Sequence, residues 1–387
     1  MIYFDHAATS YPKPDAVIRT MNQCMRDYCG NPGRSAHRLS LRSAEEIYHV
    51  RCLAAEMFGC RQPENVIFTS NATYALNMAL KGLLKSGDHV LISELEHNSV
   101  LRPLERLSKI GVKYEVYPVA SGGIQLEDGV LLSALQERIR PDTALVVANH
   151  VSNVCGMRLP VRKMGTLLKE KHIPFLVDAS QSAGVYDLDM ERDGISYLCM
   201  AGHKGLLGPQ GTGILIVGED AALPEPFADG GNGINSLELT MPDFLPERME
   251  AGTLSTPGIV GLGAGMRYAG RMMQEIRESN HRMYQRLMEL LCNMHGITVY
   301  AKEAPNGSTV LFNVDGMSSN SVAAALDEKG ICVRSGFHCA PLAHRMLGTD
   351  ENGAVRASFG YGNQVREAER FVRALREVTA SCGGQKD

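Results

Sequence analysis

The chain has 387 residues, which is too long for one small hydrophobic core, so we expect two domains of unequal size. Its 39 basic and 43 acidic side chains give a net charge of −4 with no long run of either sign, which argues against nucleic acid or a membrane surface as the main partner. The sequence has no long apolar stretch and no signal-peptide pattern at its start, so we expect a cytoplasmic protein that does not cross a membrane.

From about residue 65, short segments rich in β-branched residues alternate with helix-like segments. A helix is predicted over residues 73–84, and strands are predicted at 66–70, 89–93, 112–119, 144–149, 173–178, 196–200 and 212–217. This alternation is typical of a mostly parallel sheet that helices cover on both faces. We therefore predict a large α/β domain over residues 15–255.

Residues 218–256 are rich in Gly and Pro, which predicts a connector or an active-site loop. Thr256 as the N-cap and Pro257 as the first helical residue then predict a long helix that ends before Gly296. The later predicted elements are a final amphipathic helix, a helix over 321–330 and strands at 308–314, 331–335 and 354–359. We assign residues 256–387, together with an N-terminal arm over 1–14, to a smaller α+β domain.

Two residues at the ends of neighbouring predicted strands indicate a cofactor. Asp178 ends the strand IPFLVD, at the edge where open α/β sheets bind ligands, and Lys204 lies in a glycine-rich turn after the next strand. Pyridoxal 5′-phosphate requires such a pair, because a lysine binds it as a Schiff base and a carboxylate keeps its pyridine nitrogen protonated. The alternative for Asp178 is a helix cap or a loop salt bridge.

The segment FTSNATYALN, residues 68–77, is a candidate cradle for the phosphate of that cofactor. A strand end is followed directly by the start of a helix, whose unpaired N–H groups and dipole attract anions. An ordinary capping motif would have the same sequence. His97 follows the next strand and is a candidate to stack on the cofactor ring, although a histidine there is often only a structural hydrogen-bonding group.

The segment RSGFHCAPLAH, residues 334–344, leaves three interpretations open for Cys339: a nucleophile, a metal ligand with His338 and His344, or an inert small residue. Two adjacent ligands with a third five residues later do not match common zinc spacings, so we predict no metal site. The ten cysteines form no C-x-x-C pair, and we expect most of them to be free thiols.

An ordered set of motifs resembles the class V aminotransferase fold and, within it, the cysteine desulfurases and selenocysteine lyases of the short-loop (group II) kind. The motifs are YFDHAATSYPKP, NPGRSAHRLS, FTSNATYALN, SELEHNSV, NHVSNVCG, VDASQSAG, GHKGLLGPQGTG, EAGTLSTPGIVGLG, RSGFHCA and VRASFGYGN. The resemblance covers nearly the whole chain. It implies fold type I of the pyridoxal phosphate enzymes, the fold of aspartate aminotransferase. The R-x-G-x-H-C-A element separates desulfurases from transaminases on this scaffold.

The resemblance implies a role for each matching residue. The implied catalytic residues are Lys204, which binds the cofactor, His97, which stacks on its ring and moves protons, and Cys339, which accepts the sulfur. The implied cofactor-binding residues are Ala72, Thr73, Asn153, Asp178, Gln181, His203, Lys204 and, lent by the second subunit of a homodimer, Thr253. The implied substrate-binding residues are Arg356, Asn153 and His6. His338 and Arg334 would either promote ionisation of the Cys339 thiol or position its loop.

The implied reaction converts L-cysteine to L-alanine and leaves a persulfide on Cys339, which then passes to an acceptor protein. Two alternatives stay open within the fold: a selenocysteine lyase or another lyase that breaks C–S or C–Se bonds, and a transaminase. A third alternative is a protein of this fold that serves as a non-catalytic binding partner in sulfur trafficking.

The chain departs from the family pattern at several positions. Ala201 stands where a serine usually donates a hydroxyl to the phosphate, which implies one hydrogen bond fewer or a replacement by Asn71 or Ser70. Tyr74 replaces a glutamate, His6 replaces an asparagine or serine, and the turn GHKGLLGP is one residue longer than usual. These departures leave the choice of substrate open.

Overall fold

The computed structural model describes residues 1–33, 36–302 and 308–383, with side chains described as far as residue 380. The helices are α1 Asp15–Asp27, α2 Arg38–Met57, α3 Ala72–Leu83, α4 Asn98–Ser108, α5 Asp128–Gln136, α6 Val161–Glu170, α7 Thr256–Cys292, α8 Ser319–Glu328, α9 Pro341–Met346 and α10 Arg366–Gly383. The strands are β1 Ile2–Tyr3, β2 Val66–Thr69, β3 His89–Ser93, β4 Lys113–Tyr117, β5 Ala120–Ser121, β6 Ile124–Gln125, β7 Thr143–Asn149, β8 Phe175–Asp178, β9 Tyr197–Ala201, β10 Gly213–Val217, β11 Ile297–Tyr300, β12 Thr309–Val314, β13 Ile331–Cys332 and β14 Val355–Ser358.

The part of the chain that the structure describes contains no helix long and apolar enough to cross a membrane. Residues 34 and 35 of the NPGRSAHRLS motif and residues 303–307 and 384–387 of the predicted smaller domain lie outside the described residues.

A seven-stranded sheet organises the first two thirds of the chain, in the order β2-β10-β9-β8-β7-β3-β4. Strands β4, β3, β7, β8 and β9 are parallel, whereas β10 is antiparallel to both of its neighbours, β9 and β2. Alternate residues of one strand enter different cores, since Leu91 lies in one apolar cluster and Val90 and Ile92 lie in the other. The prediction of a mostly parallel sheet with helices on both faces is confirmed.

A second, antiparallel sheet with the order β11-β12-β14 lies in the last third of the chain. It packs with α8 and α10 around a core that includes Phe312 and Phe371. The N-terminal residues Ile2 and Phe4 belong to the same core, because β1 pairs in parallel with β13. The long helix α7 joins the two sheets: its first turns pack in the core of the large sheet and its last turns in this one.

Several predicted boundaries differ from the structure by a few residues, and three of the differences have a clear cause. The N-cap of α7 is Ser255 rather than Thr256, which is already helical. The strand predicted over 331–335 is limited to Ile331–Cys332, because its partner β1 ends and Gly336 turns the chain with a φ of 93°. Helix α8 begins two residues earlier than predicted, since the hydroxyl of Ser318 accepts a hydrogen bond from the N–H of Ser321 and caps it.

A buried ion pair fixes the Gly- and Pro-rich segment that follows β10. Arg51 of α2 donates two hydrogen bonds to Glu250, of 2.9 and 2.8 Å, and both side chains are at least nine-tenths buried. Glu250 also accepts a hydrogen bond of 2.7 Å from the backbone N–H of Phe68 in β2. The segment is irregular along its length, so this pair supplies anchorage that a helix or strand would otherwise provide.

We expect Glu250→Gln to lower the free energy of unfolding by about 3 kcal/mol, because the Arg51 charge would be left buried without its counter-ion. Urea unfolding at neutral pH measures the change. The control is Glu191→Gln, which breaks the exposed ion pair with Arg61 and should cost less than about 1 kcal/mol. Equal effects of the two substitutions would contradict the prediction.

Candidate active site

A cavity lies at the carboxyl ends of the parallel strands, as expected for an open α/β sheet. The structure brings eight of the predicted site residues to its wall, namely Ala72, Thr73, His97, Asn153, Asp178, Gln181, His203 and Lys204. His6 lines an adjoining cavity that shares Gln181 and Lys204 with the first. Of the remaining predicted residues, Arg356 is buried behind the wall, and Cys339 and Thr253 are exposed outside both cavities.

One end of the cavity is formed by the N-terminus of α3. The side chain of Asn71 caps this helix by accepting a hydrogen bond of 3.0 Å from the N–H of Tyr74. The N–H groups of Ala72 and Thr73 are in the first turn and have no partner within the helix, so this end attracts an anion. Ala201 also lines the cavity and offers no hydroxyl.

Ser99 also lines the cavity, and the sequence analysis missed it. Its hydroxyl lies 2.9 Å from the Thr73 hydroxyl and 2.8 Å from Nδ1 of His97, so it joins the anion-binding end to the histidine. The only signal in the sequence is a serine in the first turn of a helix that follows a strand. That signal is common, because serine often occurs near helix N-termini.

His97 is held as a neutral ring. Its Nδ1 accepts a hydrogen bond of 3.0 Å from the N–H of Ser99, so we assign the ring proton to Nε2. Burial, together with the positive charges of Lys204, Arg334 and Arg102, lowers the pKa of His97 to about 4. The ring is therefore a neutral N–H donor at physiological pH.

Lys204 and Asp178 also line the cavity. Asp178, at the end of β8, is 3% exposed and accepts hydrogen bonds from the N–H and the hydroxyl of Ser180. Burial lowers the pKa of Lys204 to about 8, although the carboxylates of Asp178 and Asp5 oppose this shift. A larger fraction of the lysine is then the free amine, which is the form that acts as a nucleophile or a base.

The N-terminal arm fixes the backbone next to Lys204. The carbonyl oxygen of His203 accepts hydrogen bonds from the N–H of Ser10, at 3.0 Å, and from Nζ of Lys13, at 2.7 Å. The ring of His203 is bonded through Nδ1 to the hydroxyl of Thr9, at 3.0 Å. The arm thus contributes to the site although it is nearly two hundred residues away in sequence.

Arg356 is 1% exposed and is already paired. Its Nη2 donates a hydrogen bond of 2.6 Å to Asp5, and its Nη1 donates one of 2.9 Å to the backbone oxygen of Asn153. Asn153 in turn donates from Nδ2 to the backbone oxygen of His338, at 2.7 Å. Nε of Arg356 and Oδ1 of Asn153 are buried without a partner among the described residues, so polar capacity for a ligand remains here.

Cys339 is exposed in the turn before α9, and its backbone oxygen accepts a hydrogen bond of 2.7 Å from the N–H of Asn98. Nη2 of Arg334 lies 4.0 Å from its sulfur. The imidazole of His338 points away into the protein and bonds to His344, at 3.0 Å, so the geometry favours the positioning role predicted for His338. No group of three metal-binding side chains occurs among the described residues.

The donor set of the cavity fits pyridoxal 5′-phosphate. The helix N-terminus at Ala72 and Thr73 suits the phosphate, and the buried carboxylate of Asp178 suits a protonated pyridine nitrogen. Lys204 lies in the same wall with a lowered pKa, and the unpartnered Oδ1 of Asn153 leaves an acceptor for a further polar group.

Comparison with known proteins agrees with the fit of the cavity to pyridoxal 5′-phosphate. A family model described as aminotransferase class-V matches residues 2–371. Probable cysteine desulfurases from Methanothermobacter thermautotrophicus and Pyrococcus abyssi are 34% and 35% identical, over 97% and 98% of this chain and 94% and 95% of their own. The apo structure of a cysteine desulfurase from Thermococcus onnurineus NA1 is 34% identical, covers 98% of this chain and 95% of that one, and superposes with a TM-score of 0.88.

Protonation of His6 should weaken the fold in acid. Burial and the nearby charge of Lys13 lower the pKa of His6 to about 4 from its usual 6.5. Between these values the unfolded chain binds a proton that the folded chain does not, so the free energy of unfolding falls as the pH falls from 6.5 to 4.

Between pH 6.5 and pH 4, we expect the free energy of unfolding of His6→Asn to fall by up to about 3 kcal/mol less than that of the wild type. Urea unfolding at a series of pH values measures it, and His281→Asn, on an exposed part of α7, is the matched control with the wild-type slope. If His6→Asn loses stability in parallel with the wild type, His6 is not the titrating group.

Proposed function

The chain belongs to the class V aminotransferase family, and we infer that it is a cysteine desulfurase, an enzyme that converts L-cysteine to L-alanine and takes the sulfur onto Cys339. Relatives of that description match it over nearly their whole length. The observation that carries the inference is that Lys204, Asp178 and the N-terminus of α3 line one cavity. Asn153, which also lines it, is hydrogen-bonded to the loop that contains Cys339.

Enzymes of this family depend on pyridoxal 5′-phosphate, and we propose that this cavity holds it. Ala72 and Thr73 would bind the phosphate through their N–H groups, with the Ser99 hydroxyl, 2.9 Å from that of Thr73, as a further donor. Asp178 would pair with the pyridine nitrogen, and Lys204 would bind the cofactor covalently. When bound, the cofactor supplies an electron sink for the negative charge left on the substrate Cα after deprotonation.

Among the other cofactor-binding residues, we propose that Gln181, His203 and Asn153 contact the ring substituents from the walls in which they lie. The neutral His97 would stack on the ring and donate from Nε2. These side chains approach from four different strand ends, which would fix the ring in one plane.

Different side chains would transfer the protons and orient the substrate. Lys204, with its lowered pKa, would remove the proton from the substrate Cα and return one to the carbon that becomes the alanine methyl group. Arg356 would orient the substrate carboxylate with the donor that Asp5 leaves free, and Asn153 and His6 would hold the substrate amino and carboxyl groups beside it. A planar guanidinium suits this task because it binds a carboxylate at a defined angle.

The sulfur step needs no other reactant. The Cys339 thiolate attacks the substrate sulfur, an S–S bond forms as the substrate C–S bond breaks, and the electron pair of that bond stays with carbon. The products are alanine and an enzyme persulfide. We propose that an acceptor protein then takes the terminal sulfur from Cys339, which is exposed to such a partner.

We also propose a cytoplasmic homodimer. The described cysteines are free thiols, as expected in a reducing compartment. Thr253 is exposed and outside the cavities, which is the position required of a residue that completes the phosphate site of a second subunit. Large apolar side chains on the preceding segment, Leu237, Leu239 and Phe244, are also exposed, as expected where another copy docks.

We expect Cys339→Ala to lower alanine production from L-cysteine by at least about 100-fold, because no thiolate would then accept the sulfur. Quantifying alanine and the mass of the enzyme persulfide, with the cofactor absorbance as a check on loading, measures the effect. The control Cys332→Ala, in β13, should retain activity. Full activity of Cys339→Ala would refute the proposed mechanism, and turnover of L-selenocysteine alone by that variant would indicate a lyase.

We expect Thr253→Val to raise the dissociation constant of pyridoxal 5′-phosphate about 10-fold, through loss of one hydrogen bond, while the protein remains a dimer. Absorbance titration of the cofactor-free protein and light scattering measure these two quantities. The control is Thr166→Val, on the exposed face of α6. A monomeric wild type, or unchanged cofactor affinity, would remove Thr253 from the site.

A further inference from the structure

Two buried histidines beside Cys339 have no part in the reaction described above. His338 is 3% exposed and His344, in α9, is 0% exposed. Nδ1 of His338 lies 3.0 Å from Nε2 of His344, and the rings stack with centroids 5.2 Å apart and planes at 15°. On the far side, Nδ1 of His344 lies 2.7 Å from the hydroxyl of Thr349, and Nε2 of His338 lies 3.3 Å from the backbone oxygen of Arg334.

Only one arrangement of protons satisfies all three contacts with neutral rings. The backbone oxygen of Arg334 can only accept, so Nε2 of His338 must carry the proton and its Nδ1 must accept. Nε2 of His344 must then donate to that Nδ1, which leaves Nδ1 of His344 to accept from the hydroxyl of Thr349. The chain of donors therefore runs from Thr349 through His344 and His338 to Arg334.

This series of hydrogen bonds ends at the backbone oxygen of Arg334, in a segment that pairs with the segment of Arg356. Arg334 and Arg356 are joined by two backbone hydrogen bonds, of 3.1 and 2.7 Å, and the same Arg334 oxygen accepts from the N–H of Arg356 and from His338. The guanidinium of Arg334 then reaches the Cys339 sulfur. Movement of the imidazole pair would therefore disturb the strand bridge behind the substrate site.

The backbone of the thiol residue is in a conformation that needs support. His338 and Cys339 have φ values of 49° and 57°, so two successive residues with side chains are in the left-handed conformation that L-residues rarely adopt. Asn153, after β7, donates to the backbone oxygen of His338, and the N–H of Asn98, at the start of α4, donates to that of Cys339, both at 2.7 Å. From the other side, support comes through the His338 ring.

We propose that His344 and His338 are positioning residues, which hold the backbone of Cys339 in its left-handed conformation through a chain of neutral hydrogen bonds anchored in α9. The inference rests on the proposed function, since Cys339 is the residue positioned. It assigns a task to the histidine next to the thiol that differs from supplying positive charge.

The electrostatic surroundings keep the pair neutral. Burial and the charges of Arg356 and Arg334 lower the pKa of His338 to about 2. Burial also lowers the pKa of His344, against the opposing effects of a hydrogen bond with the Thr349 backbone and of the Asp350 charge. A proton added to Nδ1 of His338 would face the Nε2–H of His344, a donor instead of an acceptor, so the hydrogen-bond chain is intact only while His338 is neutral.

The test compares His344→Leu, which breaks the chain, with His344→Gln, whose amide keeps a donor for Nδ1 of His338. For the full-length enzyme, we expect amide hydrogen exchange in residues 334–346 to be about 10-fold faster in His344→Leu and near wild type in His344→Gln. With L-cysteine, kcat should fall about 10- to 100-fold in His344→Leu at unchanged KM and cofactor absorbance, and recover in His344→Gln. His281→Leu, on exposed α7, is the control.

Wild-type exchange or wild-type kcat in His344→Leu would overturn the proposal, and so would faster exchange spread over the whole smaller sheet with loss of cofactor. If His344→Leu does not fold, His344→Met, whose flexible side chain also lacks a donor for Nδ1 of His338, has the same expected outcomes. The exchange measurement does not depend on activity, so it decides the positioning role even if Cys339→Ala disproves the proposed function.

Discussion

The buried guanidinium of Arg356 is the group on which the geometry of the site depends. It joins three distant parts of the chain, since it lies in β14 and bonds to Asp5 of the N-terminal arm and to the backbone of Asn153 after β7. A charge 1% exposed must be compensated where it lies, because burial of an unpaired ion costs several kcal/mol. The arm and the smaller sheet are therefore bound to the large sheet at the point where substrate would bind.

Arg356 is also connected, through Asn153, to the loop that carries the Cys339 thiol. Asn153, held by Arg356 through its oxygen, uses its own amide to hold the backbone of His338, so the residue before Cys339 is tied to the cavity wall. The arm makes a parallel connection to Lys204, through Ser10 and Lys13 on the carbonyl of His203. Neither Lys204 nor Cys339 is positioned by its own secondary structure alone, and the order of both depends on contacts between segments that lie far apart in sequence.

The parts of the site that could be predicted from the sequence are those that follow from strand ends. Asp178 and Lys204 were predictable because the carboxyl ends of parallel strands lie at one edge of a sheet, and the glycine-rich turn after such a strand can be recognised in the sequence. Asp5, Ser99 and His344 were not, because each acts through a side-chain contact with a residue distant or unremarkable in sequence. The strand predicted at 331–335 was too long for a similar reason: its partner β1 provides only two residues to pair with.

The position of Cys339 follows from two opposing requirements. A thiol that passes sulfur to a protein must be accessible, yet one that attacks a substrate must meet it at a defined distance, and an exposed loop normally gives access at the expense of order. Here the side chain is exposed while the backbone oxygens of His338 and Cys339 are bonded to Asn153 and Asn98. Because the strained left-handed backbone is stable only while those bonds are made, order at the thiol becomes conditional on assembly of the cavity wall. The thiol proposed to accept the sulfur thus takes part of its geometry from Asn153, which also lines the cavity.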